Sequence, residues 1–389
     1  MGGNYLMGKR RILVILESRA TYGYSKNVMN TMKDFPDLDL VTLVTGMHLL
    51  PEFGNSINLI RDDGFPITAT VPLHGGDITQ GAWSKALGAG IEGFAKVYEE
   101  LKPDIILLSG DRIETFGCCV AAAYMGIPIA HIQAGDKSGH IDDSARHAIG
   151  KFTHIHLASC EDSANRLMKM GEQEFRIFNV GAPQLDDIVD NDYISESVDV
   201  NDKNLDLTNP YILMVQHPVM AEVDKAGIQI QNTLKACFKF KLPVFIIYPN
   251  SDLGYKQIIQ GIEENKSNIK FVVLKNVERK SYLKLLANAS LLVGNSSSGI
   301  LEAPSFRIPV VNIGNRQRGR MQAENILNCG YSEEEIYATI DKALNDDSFR
   351  AQANQSINPY GDGHSGPRIC KILSDIPLNQ DLIDKECTY

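Results

Sequence analysis

The sequence predicts an α/β protein built from two doubly wound parallel-sheet domains, and three observations carry that reading. Short continuous apolar runs alternate with helical stretches along nearly the whole chain, one acidic polar segment interrupts the alternation, and the same rhythm then restarts. Continuous apolar strands suit a parallel sheet covered by helices on both faces, whereas a half-exposed sheet would alternate in polarity. At 389 residues the chain also exceeds one ordinary domain and can bury two cores.

In the first domain, residues 1–186, strands are predicted at 11–16, 38–44, 104–109, 127–132 and 155–159. The polar, acidic stretch 187–209 reads as a linker region. The second domain, 210–365, repeats the pattern with strands at 211–216, 242–249, 269–274, 289–294 and 308–313. The final segment, 366–389, contains the apolar helical run PRICKILSDI and is expected to pack back on the first domain. Two Rossmann-like sheets facing a cleft make the layout called GT-B. In such sheets ligands bind outside the carboxyl ends of the strands, so functional residues are sought there.

Composition narrows the function classes. The chain is 43% hydrophobic and 22% charged, as an ordinary globular protein is. Its net charge of −10 argues against a nucleic-acid surface, which needs Lys and Arg to displace phosphate counterions. No run approaches the ~18 apolar residues of a membrane span, and ILVIL near the start is too short for a signal peptide, so no membrane role and a cytoplasmic location are expected. Seven cysteines, an odd number without C-x-x-C spacing, read as reduced thiols. His154 and His156 share one strand face, but no third ligand follows at metal spacing, so neither a metal nor another cofactor is expected.

LLVGNSSSGILEAP, residues 291–304, is an apolar strand, a polar turn with glycine and a helix starting near Ser298. A turn of this kind offers backbone N–H groups and hydroxyls to an anion, which makes Ser296 and Ser297 candidate phosphate donors. An ordinary serine N-cap would look the same. Glu302, about one turn further on, could accept hydrogen bonds from both hydroxyls of a ribose, or could be a solvated surface glutamate. Other predicted strand ends carry Arg19, Arg112, His217 and Asn250, and Arg316 follows the last one. Arginines grip diphosphates bidentately and a histidine donates without permanent charge, although any one of these could equally serve a structural ion pair.

The densest polar constellation is HIQAGDKSGHIDDSARHAIGKFTHIH, residues 131–156. Asp136, Asp142 and Asp143 stand near Arg146 and His147, and Asp111 joins them from the neighbouring strand end. Crowded carboxylates can raise one another's pKa and supply an acid or a base. The competing reading makes one aspartate an N-cap and pairs another with Arg146.

As a set, SRATYGYSK, GMHL at 46–49, SGDR at 109–112, HIQAGDKSGHIDDSARHAI at 131–149, QHP at 216–218, GNSS at 294–297 and NRQRGR at 315–320 resemble the UDP-N-acetylglucosamine 2-epimerases. The likeness is greatest to their hydrolysing branch, used in sialic-acid-type sugar synthesis. The resemblance implies a GT-B fold with the nucleotide mainly on the second domain. It implies nucleotide contacts at Arg19, Ser25, Arg112, His217, Asn250, Ser296, Ser297, Glu302 and Arg316. Catalytic roles are implied for Asp111, Asp142 and Asp143, with His48, His131 and His217 further candidates. Two positions depart from the family pattern: Gln133 replaces a glutamate in H-I/V-E, which shifts any acid role there to Asp136, Asp142 or Asp143, and SRATYGYSK is longer than the usual R-A-D-Y-S-K, which leaves Ser25 loosely matched.

The implied reaction converts UDP-N-acetylglucosamine, or a relative such as UDP-diacetylbacillosamine, and water into the 2-epimeric free sugar, of ManNAc type, and UDP. In an α-linked gluco sugar the C-2 hydrogen and the departing diphosphate are both axial on opposite faces, so anti elimination to a glycal is direct. Water then adds across the double bond. The alternatives are a non-hydrolysing 2-epimerase giving UDP-ManNAc, a GT-B glycosyltransferase, and a nucleotide-sugar sensor that would need no clustered acids. The family also implies a homodimer or homotetramer.

Overall fold

The computed structural model describes residues 9–50, 56–73, 80–137, 140–189, 192–250 and 252–388. By its internal contacts the chain divides into two compact units, Met1–Asp187 with Tyr360–Tyr389, and Ile188–Pro359.

The first unit holds seven strands: β1 (Arg10–Leu16), β2 (Leu38–Thr45), β3 (Ala69–Val71), β4 (Ile105–Ser109), β5 (Ile129–Ile132), β6 (Ile155–Ala158) and β7 (Ile177–Asn179). They lie in the order β3-β2-β1-β4-β5-β6-β7 and every pair is parallel. Alternate residues of β1 feed two cores. Ile12, Val14 and Leu16 pack on one face, and Leu13 and Ile15 on the other, all essentially inaccessible. That two-sided burial is why the strand reads as an unbroken apolar run.

The second unit carries β8 (Ser197–Val200), β9 (Lys203–Asp206), β10 (Ile212–Val215), β11 (Val244–Ile247), β12 (Phe271–Leu274), β13 (Leu291–Gly294), β14 (Val310–Ile313) and β15 (Ile326–Cys329). Six of them form a parallel sheet in the order β12-β11-β10-β13-β14-β15. Both sheets therefore reverse strand order beside their first strand, between β1 and β4 and between β10 and β13. Connections from the two sides diverge there and leave a crevice at the carboxyl ends.

All ten strands expected from the sequence are present, β1 and β2 one residue longer and the others trimmed by a residue or more. Missing from that expectation were β3 and β7, of three residues each, and β15, all at sheet edges where an apolar run need not be long. The 187–209 stretch is not a bare linker. An antiparallel hairpin, β8 with β9, occupies it and counts with the second unit. Its turn residues Asn201 and Asp202 both have positive φ, +50° and +61°, the backbone a two-residue hairpin turn demands. Val198, Val200 and Leu205 are buried between acidic neighbours, so composition concealed a two-residue apolar period.

The return to the first unit begins at Tyr360, earlier than the expected Gly366. Its helix, Ser365–Asp375, is capped by Asp186, whose two carboxylate oxygens accept the Ser365 and Gly366 N–H groups at 2.9 and 2.6 Å. Ile369, Cys370 and Leu373 of that helix join the core formed by β1 and the helix Arg19–Met32. Among the described residues no helix is long and apolar enough to cross a membrane.

Gly294 closes β13 with φ +134°, and a Cβ there would stand 2.0 Å from the Val215 carbonyl oxygen. Gly23, in the helix Arg19–Met32, would meet nothing within 4 Å. Gly294→Ala is accordingly expected to lower stability by about 2–4 kcal/mol and Gly23→Ala to raise it by about 0.5–1 kcal/mol, read as opposite shifts of the urea midpoint.

Candidate active site

In the second unit, the crevice beside β10 and β13 is organised by Asn295, which follows Gly294. Its backbone N–H donates to Val215 O at 3.1 Å, its Oδ1 accepts the His217 N–H at 2.7 Å, and its Nδ2 donates to His217 O at 2.9 Å. Its own carbonyl accepts Arg316 Nη1 at 3.1 Å and Gln317 Nε2 at 2.8 Å. One residue, 2% exposed, thus fixes three strand-end loops through its side chain and its backbone. Sequence reasoning passed over Asn295 as a turn residue, although an Asn after a strand-ending Gly is the available signal.

His217 Nδ1 accepts the Asn250 backbone N–H at 3.0 Å, which places the ring proton on Nε2. Burial, with the Arg316 charge adding to it, lowers its pKa to about 3. The ring is therefore a neutral donor. Asn250 itself is exposed and its side chain donates to Asp252 at 2.6 Å.

Ser296 is the N-cap of the helix Ser297–Leu301, its Oγ accepting the Ser298 N–H, so that helix starts one residue earlier than expected. Ser297 opens the helix, and Ser298 links Ser296 to the Tyr282 hydroxyl. Glu302 does not sit one turn inside a continuous helix. It is the joint between Ser297–Leu301 and Ala303–Phe306, where Pro304 forces a new start. Nor is it a solvated surface glutamate: it is 6% exposed, with Oε1 paired to Arg279 at 2.5 Å and Oε2 buried without a hydrogen-bond partner among the described residues. Arg279, 23 positions upstream, could not be matched to Glu302 by local spacing.

In the first unit, Arg19 is the first residue of the helix Arg19–Met32, capped by Ser18 and Thr21 reciprocally. Arg112 is the N-cap residue of the helix Ile113–Tyr124 and pairs with Glu114 at 3.2 Å. These two strand-end arginines flank the order reversal between β1 and β4. Ser25 is a correction: its hydroxyl is fully buried and shares a 3.0 Å hydrogen bond with Ser109, which ties the helix to β4 and leaves no surface for a nucleotide.

The acidic constellation splits into separate partnerships. Asp111 pairs with Arg146 at 2.5 Å, and the same guanidinium donates to Gln133 O at 2.8 Å. Gln133 adopts φ +60° and is buried, so at this position the backbone carbonyl, rather than an acid side chain, meets the arginine. Burial opposes the Arg146 charge, and Asp111 and Asp136 more than offset it. Asp136 differs from the expected role. Its Oδ1 accepts the hydroxyls of Ser159 and Ser163 at the start of the helix Glu161–Lys169, which makes it a buried structural acceptor. Asp143 is about one-third exposed on the helix His140–Phe152, 3.8 Å from His147 Nε2. Asp142 belongs to the same helix, and its side chain lies outside the described residues.

His131 and His48 are both fully buried. His131 Nε2 donates to Gly110 O at 2.7 Å, and burial with the Arg146 charge lowers its pKa to about 3. His48 Nδ1 contacts Ser56 Oγ at 2.8 Å. His131 thus ties β5 to the turn after β4, and His48 ties the turn after β2 to Ser56. A carboxyl that its surroundings push up lies outside this constellation: Glu17, directly after β1, is raised to about 8 chiefly by burial. A lone glutamate ending the run ILVILE was its only trace in the sequence. Among the described residues no group of three or more His, Cys, Asp or Glu could hold a metal.

Two parallel sheets of this strand order, with polar groups gathered at each reversal point, define a two-unit α/β protein of GT-B type. A model of the UDP-N-acetylglucosamine 2-epimerase family matches residues 30–374. The chain is 36% identical to a Legionella pneumophila protein named UDP-N,N'-diacetylbacillosamine 2-epimerase (hydrolyzing), over 98% of this chain and all of that one. It is 31% identical to a Neisseria meningitidis UDP-N-acetylglucosamine 2-epimerase, over 94% and 95% of the two chains. A crystal structure of UDP-GlcNAc 2-epimerase from Neisseria meningitidis bound to UDP-GlcNAc superposes with a TM-score of 0.77, at 16% identity over 93% of this chain and 99% of that one, which shows the shared fold. The protein belongs to the UDP-N-acetylglucosamine 2-epimerase family.

Two histidines set an acid limit. His131 and His217 titrate near 3 when folded against an ordinary 6.5, so between those values the unfolded chain binds protons that the folded chain refuses. Stability is expected to fall as pH drops below about 6.5, with both ring signals remaining those of neutral imidazole in NMR spectra of the folded protein down to about pH 4.

Proposed function

We propose that the protein is a hydrolysing UDP-N-acetylhexosamine 2-epimerase, converting UDP-N-acetylglucosamine or UDP-diacetylbacillosamine and water into the 2-epimeric free sugar and UDP. The observation that carries the reading is a division of chemistry between two strand-order reversal points in a chain of this family. One holds a neutral imidazole donor and a capped serine turn; the other holds two arginines and Asp111. Full-length similarity to a relative named as hydrolysing favours release of the free sugar over the non-hydrolysing outcome.

In this reading the second unit takes the nucleotide. His217 offers Nε2–H, Arg316 adds charge, and Asn250, Ser296 and Ser297 offer polar groups to the diphosphate. Glu302 Oε2 accepts a ribose hydroxyl while Oε1 stays with Arg279. From the first unit, Arg19 and Arg112 neutralise the departing diphosphate. A carboxylate among Asp111, Asp142 and Asp143 takes the C-2 proton, the C1–O bond breaks with its electron pair leaving on the diphosphate, and a glycal forms. Water then adds at C-1 while C-2 is protonated from the opposite face, which inverts it. Gln133 cannot act as an acid, and Asp136 is committed to two serines, so neither has a part. The scheme needs no metal or other cofactor, and we place the enzyme in the cytoplasm as a homodimer or homotetramer.

A GT-B glycosyltransferase would need an acceptor, and a sensor would release nothing. Proton NMR of each donor incubated with the enzyme in deuterated water is expected to show UDP and a free manno-type sugar carrying deuterium at C-2. Retention of the original hydrogen would rule out the elimination route, and appearance of an intact UDP-linked epimer would replace hydrolysis with reversible epimerisation. Asp143→Asn is expected to slow turnover about a hundredfold or more while UDP affinity stays within about twofold.

A further inference from the structure

Beneath the turn that carries Asp111 and Arg112 lies a carboxyl group with no part in the scheme above. Glu17 is fully buried. Its Oε2 accepts the Thr21 hydroxyl at 2.7 Å, and its Oε1 has no hydrogen-bond partner among the described residues. Oε1 lies 3.7 Å from where a Cβ on Gly110 would stand, directly under the start of that turn. Glu114, 1% exposed, is close by: a Cβ on Gly46 would be 2.7 Å from Glu114 Oε1 and 2.9 Å from the Glu17 carbonyl oxygen. Glu114 Oε2 accepts Arg112 Nε at 3.2 Å, and the Arg112 side chain is 38% exposed. Glu17 and Glu114 are thus both buried beside the strand-end turns, and Glu114 makes the contact to Arg112.

Two buried carboxylates on one guanidinium would leave a net negative charge in the interior, and a buried charge without its own counterion is avoided by taking up a proton. Among the described residues Glu17 makes no ion pair of its own, Arg112 being paired with Glu114. Burial is the main cause that raises its carboxyl, to about 8; the Thr21 hydrogen bond and Arg112 oppose the rise, and Glu114 adds to it. From the helix of Glu114, Cys118 also senses Glu17, but burial keeps that thiol protonated. On the turn 46–49, His48 is engaged with Ser56.

We propose that Glu17 is a positioning residue for the anion grip of the first unit: held as a neutral acid behind Glu114, it leaves the Arg112 charge available to a diphosphate oxygen, and on losing its proton to solvent it draws that charge inward. The inference rests on reading Arg112 as a diphosphate contact. It adds a pH-sensitive control to that contact which neither the aspartates nor the histidines supply.

The test is titration calorimetry of UDP into the full-length protein from about pH 6.5 to about pH 9.5, in buffers of different ionisation enthalpy. In the wild type, affinity is expected to fall about tenfold as pH rises through about 8, with proton uptake on binding in that range. Glu17→Gln, which cannot ionise, is expected to flatten that limb and abolish the uptake. The same pH dependence in both proteins overturns the proposal alone, and so does absence of proton uptake in the wild type, which decides the matter if the variant fails to fold. UDP that binds at no pH overturns the nucleotide-sugar reading and this proposal with it.

Discussion

The hydrogen bonds that Asn295 makes to both backbone groups of His217 are what the strand-end crevice of the second unit depends on. β10 and β13 are adjacent only because the strand order reverses there, and their loops leave in opposite directions from a shared crevice. Without a bridge, those loops would present polar groups at no fixed spacing. The bridge demands a glycine before it, since any side chain on Gly294 would strike the Val215 carbonyl. Once it is made, His217 turns its Nδ1 to Asn250 and keeps its proton on Nε2, and Arg316 and Gln317 are held by the remaining carbonyl. A preorganised donor costs no rearrangement when the ligand arrives.

The first unit solves a different problem, that of keeping charges in a dry place. Two of its inner cations are matched to acids, Arg146 to Asp111 and Arg112 to Glu114, and a third, Arg176, is held by the Leu382, Asp381 and Asp384 carbonyls. Arg146 has a second anchor in the Gln133 carbonyl, which the left-handed backbone at that residue directs toward it. The side-chain change from an acid to Gln133 therefore leaves the arginine held. Glu17 makes no ion pair among the described residues, and it lies under the Gly110 turn that leads to Asp111 and Arg112.

Much of this was legible in advance. Continuous apolar runs disclosed every central strand because both faces of each sheet are covered, and strand-end polar residues such as Arg19, Arg112, His217 and Ser296 were found by looking where open parallel sheets bind ligands. The hairpin at 197–206 escaped because three apolar side chains are enough to bury a two-stranded ribbon inside an acidic stretch. Ser25 and Asp136 were assigned by motif and proximity, which do not reveal direction: one side chain points into the helix–strand seam and the other toward two serines.

From the sequence alone came the fold class, the family and the set of strand ends at which chemistry is gathered, because burial pattern and turn composition are local properties. Tertiary structure alone decided which acid meets which base. Arg279 finds Glu302 across 23 positions, and Arg146 finds Asp111 across 35. Charge, protonation and orientation depend on distance and dielectric in three dimensions, and these are set only when the sheets assemble.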